Sequence, residues 1–173
     1  MCRRNISREV LKESIELLSE PKLSGQDCEK IQGCFDQIGI VVKDIEKTKF
    51  ILENIIEFKT KIEIIEQNTT VTYKGKEASF KLKKIMQNWG DKQLEIVEVI
   101  DSKGEHLYSK FLKEGKEGLH HLGVYTKNAK NLIENFDRKY NIKVIQEGKV
   151  GKVNFYYLDT INVLGFYLEL IDF

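Results

Sequence analysis

Two matching stretches of the sequence each contain a residue that can bind a metal ion. Residues 35–43 read FDQIGIVVK, and residues 119–127 read LHHLGVYTK. Each has an apolar residue, a polar pair, an apolar residue, a glycine, three strand-forming residues and a lysine. The polar pair ends in Gln37 in the first stretch and in His121 in the second. An amide oxygen and an imidazole nitrogen can both be ligands of a divalent ion.

A second pair of matching stretches supplies carboxylates. The segments LEIVEV and LELIDF superpose with Glu95 on Glu169. Both glutamates lie among apolar residues, where an ionised carboxylate needs a cation, a proton or several hydrogen-bond donors. Together with Gln37 and His121 they offer one nitrogen and three oxygens, which suits zinc, nickel, cobalt, manganese or iron. We therefore expect a divalent metal site with a pseudo-twofold axis.

The elements that would position these residues occur twice in the same order: strand, helix, strand, strand, strand. In the first copy, the predicted strands are residues 35–42, 61–66, 78–86 and 92–100, and the helix is 44–56. In the second copy, the predicted strands are residues 118–126, 141–148, 152–159 and 164–173, and the helix is 128–140. Asp44 and Asn128 are the predicted N-caps of the two helices.

Alternation along the strands assigns the faces. In the first strand Ile38 and Ile40 point one way and Gln37 points the other. Because each helix must cover the more apolar face, Gln37 and His121 are predicted on the opposite, concave face. The glutamates join them if the closing strands are oriented in the same way. The alternative is a solvated surface carboxylate, and Glu98 competes with Glu95 for the role.

The remaining boundaries follow from this repeat. Residues 1–33 are predicted as an N-terminal helical extension, in which an apolar stripe over residues 5–20 ends at Pro21. The predicted domain covers residues 34–173, divided into module one (34–101), a connector (102–117) and module two (118–173).

Composition excludes several classes of protein. The 28 basic and 27 acidic residues nearly cancel, which disfavours nucleic acid or a membrane surface as a partner. Three cysteines without a CxxC spacing argue against a disulfide framework and a cysteine zinc site. We find no signal-peptide pattern and no apolar run of membrane-spanning length. We expect a cytoplasmic protein with a small-molecule substrate.

Over roughly residues 34–173 the sequence resembles the vicinal oxygen chelate (glyoxalase/bleomycin resistance/dioxygenase) superfamily. The resemblance is carried by QIGIVVKDIEKT, NWGDKQLEIVEVI, GLHHLGVYTKN and GFYLELID. It implies an α+β fold with two tandem βαβββ modules forming a cupped, barrel-like mixed sheet around a metal, and a homodimer. In the superfamily the first and last strands of each module supply the ligands, which carries over to Gln37, Glu95, His121 and Glu169.

Two activities within the superfamily remain open. Glutamine at position 37 resembles zinc-using glyoxalase I (lactoylglutathione lyase), whereas oxygen-activating members need two histidines and one carboxylate. The segment YSKFLKEGKEG before EGLHHLG instead resembles methylmalonyl-CoA epimerases. Both resemblances imply a metal-dependent lyase or isomerase that moves a proton next to a chelated carbonyl or thioester. The glyoxalase resemblance implies Glu169 as base and Glu95 as its counterpart. A non-catalytic small-molecule binder is the alternative from another class.

Several other polar residues are candidates for a role. His120 is predicted to face away from the site and His106 to be exposed in the connector. An epimerase would carry a separate acid–base residue on a middle strand, where Glu77 is the nearest carboxylate. Lys149 and Lys152 could grip an anionic substrate tail, although a hairpin kept soluble by lysines is the simpler interpretation.

Overall fold

The computed structural model describes residues 30, 31 and 33–173, so the predicted N-terminal helix over residues 5–20 lies outside the described residues. The described strands are β1 (Gln37–Val41), β2 (Ile64–Tyr73), β3 (Lys76–Trp89), β4 (Lys92–Lys103), β5 (Gly118–Thr126), β6 (Val144–Val150), β7 (Val153–Leu158) and β8 (Tyr167–Asp172). The described helices are α1 (Ile45–Ile55), α2 (Leu107–Lys113), α3 (Ala129–Tyr140) and α4 (Ile161–Leu164).

The eight strands form one closed mixed sheet in the order β1-β4-β3-β2-β6-β7-β8-β5. Within the first half β1 is parallel to β4, and within the second half β5 is parallel to β8. The halves join through two antiparallel pairs, β1 with β5 and β2 with β6. The predicted α+β fold, with a barrel-like sheet made from two copies of one strand order, is confirmed.

Apolar side chains on the outer face of this sheet pack against the helices. On the outside, Ile38 and Ile40 pack with Ile45 of α1 in one cluster, while Leu132 of α3 packs in another with Leu158 and Leu170. Outer burial of this kind is what the alternating pattern of β1 predicts, because the helix needs an apolar sheet face to cover. The inner face is therefore free to carry the candidate site.

The connector between the modules differs from its prediction because it contains α2. Tyr108 and Phe111 of this helix pack with Phe80 inside the sheet. His106, predicted to be exposed, is instead fully buried and stacks on Phe80 with ring centroids 4.3 Å apart. It caps α2, since its Nδ1 accepts a hydrogen bond from the Ser109 backbone N–H at 3.4 Å. Histidine is not among the preferred N-cap residues, which is why the sequence pattern did not indicate a helix here.

Other differences are smaller. Strand β2 begins later than predicted and runs on to Tyr73, and the short helix α4 interrupts the second module. Asp44 caps α1 as predicted by accepting from the Lys47 N–H at 2.9 Å, whereas the Asn128 side chain makes no capping bond to α3. Within the described residues, no helix is long and apolar enough to cross a membrane.

Candidate metal centre

Three oxygens gather around one imidazole nitrogen inside the closed sheet. His121 Nε2 lies 3.2 Å from Glu95 Oε2, 3.2 Å from Glu169 Oε2 and 3.3 Å from Gln37 Oε1. One ligand atom from each of the two glutamates and the histidine lies within 4.8 Å of the others, and all three residues are buried. The structure thus brings together the four residues that the sequence predicted.

The pairing of strands explains this convergence. Gln37 and His121 lie on the antiparallel strands β1 and β5, where Gln37 pairs with Gly123 and Gly39 pairs with His121. Each candidate ligand therefore lies opposite a glycine of the other strand. Glu95 is the parallel neighbour of Gly39 on the other side.

The two glycines provide the space that the ligands occupy. A Cβ at Gly39 would overlap the His121 ring, and a Cβ at Gly123 would lie 3.0 Å from Gln37 Oε1. Both glycines follow a candidate ligand by two residues, in QIG and in HLG. The repeated glycine in the two matching stretches is therefore a steric requirement of the site.

Gln37 is held by a chain of polar residues whose role no sequence pattern indicated. Its Nε2 donates to Gln93 Oε1 at 2.7 Å, and the Tyr125 hydroxyl donates to the same oxygen at 2.6 Å. Because the Gln37 side-chain N–H donates to Gln93, the Gln37 side-chain oxygen points towards His121. Partners that orient a ligand in this way tune metal affinity in many sites.

The neighbouring His120 also differs from its prediction. On β5, Gly39 pairs with His121 and Ile40 pairs with Leu119, so His120 is the extra residue of a β-bulge. The bulge breaks strict alternation and turns His120 inward, where it is fully buried and its ring centroid lies 4.8 Å from that of Tyr108. His120 Nδ1 is 3.0 Å from His121 Nδ1, which leaves His121 Nε2 for the oxygens.

The charges and the burial of the clustered residues shift their pKa values. Burial alone would lower the pKa of His121, but the adjacent carboxylates of Glu169 and Glu95 raise it to about 9. For Glu95, burial raises the pKa, but the hydrogen bonds and charges of His121 and Lys84 outweigh it and hold the pKa below its usual value. Burial, His121 and His106 lower the pKa of His120 well below its usual value. Without a cation from outside, His121 thus carries the proton that the two carboxylates attract.

The residues fit a divalent ion. One ring N–H can be directed at only one of the three oxygens, and Glu169 Oε2 is buried without a hydrogen-bond partner among the described residues. Such an orphaned carboxylate oxygen is costly. An ion with ligand bonds of about 2.1 Å separates neighbouring ligand atoms by roughly 3.0–3.4 Å, which is the spacing found around His121 Nε2. This buried cluster could therefore bind a divalent ion.

The cluster lies at the base of a cavity of about 490 Å³. Gln37, Glu95 and Glu169 line it together with Lys84, whose Nζ is 3.2 Å from Glu95 Oε1. Apolar residues form most of the remaining wall: Phe80, Leu82, Met86, Val150, Val153, Phe155, Ile171 and Phe173. A cavity of this size and character suits a small molecule.

The competing candidates lie elsewhere. Glu98 Oε2 accepts from the Ile45 N–H at 3.0 Å, so Glu98 serves the start of α1 outside the cavity. Glu77 is exposed and does not line the cavity. Lys149 and Lys152 are also exposed, at the turn between β6 and β7.

The chain belongs to the Glyoxalase/Bleomycin resistance protein/Dioxygenase superfamily, since the model of that family matches residues 36–157, more than half of the sequence. The resemblance stated from the sequence is confirmed. No curated protein matches the chain.

Solved structures with a similar fold include methylmalonyl-CoA epimerases. A hypothetical protein from Bacillus halodurans C-125 has a TM-score of 0.56 and 18% identity over 81% of this chain and 94% of that chain. A methylmalonyl-CoA epimerase variant from Streptomyces coelicolor, in complex with 2-nitronate-propionyl-CoA, has a TM-score of 0.55 and 19% identity over 80% and 93%. The epimerase from Mycobacterium tuberculosis has a TM-score of 0.55 and 12% identity over 84% and 95%. Identities this low establish likeness of fold alone.

Proposed function

We propose that this protein is a metal-dependent lyase or isomerase that transfers a proton at a carbon next to a carbonyl group. The observation that supports the proposal is the convergence of three side-chain oxygens on His121 Nε2 at 3.2–3.3 Å, at the base of a cavity. Gln37, Glu95, His121 and Glu169 would hold the ion. A divalent ion bound there supplies a Lewis acid that polarises the carbonyl oxygen and lowers the energy of the developing negative charge.

Glu169 is the proposed base. It lines the cavity, and its Oε2 contacts His121 Nε2 at 3.2 Å without a lysine or arginine at this carboxylate among the described residues, so that no fixed cation competes for its lone pairs. Glu95 is less free, because Lys84 contacts its Oε1 at 3.2 Å. We assign Glu169 the removal of the proton, and Glu95 the stabilisation of the opposite side of the site.

The lyase and epimerase activities share this first proton removal and differ in where the proton returns. In a glyoxalase-type reaction the proton returns to the neighbouring carbon, whereas an epimerase returns it to the other face of the same carbon. An epimerase therefore needs a donor on each side of the substrate, and Glu95 is the one described carboxylate other than Glu169 that lines the cavity. The two substrate classes have to be compared directly.

Deuterium incorporation from D₂O tests the proposal. The zinc-loaded protein is incubated with the glutathione hemithioacetal of methylglyoxal and, separately, with methylmalonyl-CoA, and exchange at the substrate carbon is followed by NMR. Exchange with one substrate is expected, together with a loss on the order of 100-fold or more in Glu169→Gln. The matched control is Glu77→Gln, at an exposed position outside the cavity, which should leave exchange unchanged.

Two outcomes would overturn the proposal. A purified protein that binds no stoichiometric divalent ion would remove its basis. Stoichiometric metal without exchange on either substrate, but with saturable binding of a carbonyl compound, would favour the non-catalytic binder.

A further inference from the structure

Lys84 has an unusual place for a lysine. It lies in the inward-facing row of β3 between Leu82 and Met86, and all three residues line the cavity. Its neighbour Lys83 points outward and pairs with Glu46 at 3.3 Å. Lys84 is the one cation among the described residues that line the cavity.

The ammonium group of Lys84 is incompletely paired. Its side chain is 13% exposed, and its one polar contact among the described residues is Glu95 Oε1 at 3.2 Å. An ammonium group has three N–H donors. Removing a lysine from water for a single shared carboxylate gains little, because the desolvation cost offsets the attraction. Donors that are left over beside a cavity indicate a second acceptor that arrives with a ligand.

If a metal is bound, the net charge of the site also indicates a ligand that brings an acceptor for Lys84. This step rests on the proposed function. A divalent ion and Lys84 together carry one more positive charge than the carboxylates of Glu95 and Glu169 compensate, since Gln37 is neutral and a ligating imidazole must be unprotonated. A substrate with one negative charge next to its carbonyl would balance the site. A neutral carbonyl compound would leave the excess charge in a mostly apolar cavity.

The remaining cavity wall would contact the part of the substrate that lies away from the carboxylate. Leu82, Met86, Phe155 and Ile171 line the wall around Lys84 and the two glutamates. Burying an apolar chain against such a wall is favourable at about 25 cal/mol per Å². An apolar chain therefore completes the substrate.

We infer that Lys84 selects substrates in which a carboxylate adjoins the reacting carbonyl or hydroxyl carbon and an apolar chain extends into the cavity. Among carbonyl compounds that the proposed function covers, Lys84 thus favours those with such a carboxylate, as in 2-oxo and 2-hydroxy acids with an apolar chain. Lys84 binds the carboxylate through the N–H donors that Glu95 does not use. Lys84 is thus a specificity-determining residue of the site.

A matched pair of probes tests this inference. The acid 2-oxooctanoate and its amide, 2-oxooctanamide, share chain and carbonyl and differ in charge. Calorimetric titration of the zinc-loaded protein should give an acid-over-amide preference of roughly 10- to 100-fold, as expected for hydrogen bonds to a charged group. In Lys84→Met the preference should disappear while amide binding is kept, and Lys84→Arg should restore most of it. Lys83→Met, the adjacent lysine on the opposite face, should leave it unchanged.

The ratio within one variant is independent of how much of that variant folds. Equal binding of acid and amide by the unsubstituted protein, or an unchanged ratio in Lys84→Met, overturns the inference. Zinc binding with proton exchange but without an acid preference would refute the role of Lys84 and leave the proposed function intact. If no zinc binds, the proposed function fails, and the same titrations on the metal-free protein still decide whether Lys84 recognises the carboxylate.

Discussion

The two modules position their candidate metal ligands in the same strand register. Glu95 pairs with Gly39 on the parallel strand β1, and Glu169 pairs with Gly123 on the parallel strand β5. In both modules the candidate ligand on the first strand comes two residues before that glycine. Equal register in both halves places an amide in one module where the other has an imidazole.

The cavity-lining residues next to these ligands differ between the two modules. Met86 of β3 pairs with Glu95, and Tyr157 of β7 pairs with Glu169, so these two residues are equivalent. Two residues earlier, Lys84 in the first module corresponds to Phe155 in the second. The strand positions of the candidate ligands are thus constrained by steric fit in both modules, whereas the neighbouring cavity residues differ between them.

Alanine substitutions at Gly39 and Gly123 should have the largest effect, because both glycines make room for the candidate ligands. A Cβ at Gly39 overlaps the His121 ring, while a Cβ at Gly123 approaches Gln37 Oε1 to 3.0 Å. We expect Gly39→Ala to destabilise the protein by about 3 kcal/mol or more. Gly123→Ala should cost less, because its nearest contacts, Gln37 Cβ, Gln37 Oε1 and Ile171 Cδ1, all lie at 3.0 Å, whereas a Cβ at Gly39 overlaps a ring. Thermal unfolding with and without zinc measures both. Equal, small effects would contradict the steric account.

The residues that orient the two first-strand ligands provide the next test. Gln93 holds the Gln37 amide in the first module, and His120 contacts His121 Nδ1 in the second. Gln93→Leu and His120→Leu should each weaken zinc binding by roughly 10- to 100-fold, as is typical for residues behind a metal ligand. Zinc competition titrations of folded protein give the values. If Gln93→Leu binds zinc as tightly as the unsubstituted protein, the Gln37 amide needs no orientation.

Protonation distinguishes the modules further, because His121 titrates and Gln37 does not. The raised pKa of His121, about 9, means that zinc must displace a proton at lower pH. Apparent zinc affinity should therefore rise about tenfold per pH unit up to that pKa. In the metal-free protein the protonated His121 stabilises the fold below its ordinary pKa, and this contribution is lost as pH rises through about 9. Zinc affinity that is independent of pH between about pH 7 and 8 would contradict this.

The smallest expected difference concerns the helix caps. Asp44 accepts from the Lys47 N–H, while the Asn128 side chain makes no capping bond. Asp44→Ala should lower the free energy of unfolding by about 1 kcal/mol and Asn128→Ala by only a few tenths. Urea unfolding monitored by circular dichroism compares the two variants. A larger loss for Asn128→Ala would reverse the assignment of caps.

Local periodicity was sufficient to predict the order of the eight strands and of helices α1 and α3, and the inner placement of Gln37, because it needs no knowledge of partners. It failed at His120, where a bulge between strands turned a neighbouring residue inward. It also failed at His106, whose cap uses an imidazole nitrogen.

The roles of Lys84 and Gln93 depend on contacts between strands, which the sequence does not contain. The inward row of Leu82, Lys84 and Met86 was a readable signal, since a lysine interrupts an apolar alternation. Metal binding by the four predicted residues, the homodimer, the cytoplasmic location and the N-terminal helix stay predictions.

Calorimetric titration of zinc into the metal-free protein decides whether the four residues form a metal site. We expect one ion per chain in the unsubstituted protein and loss of that binding in His121→Ala, whose fold is checked by circular dichroism. Absence of saturable binding in the unsubstituted protein, or equal binding in folded His121→Ala, would contradict this expectation.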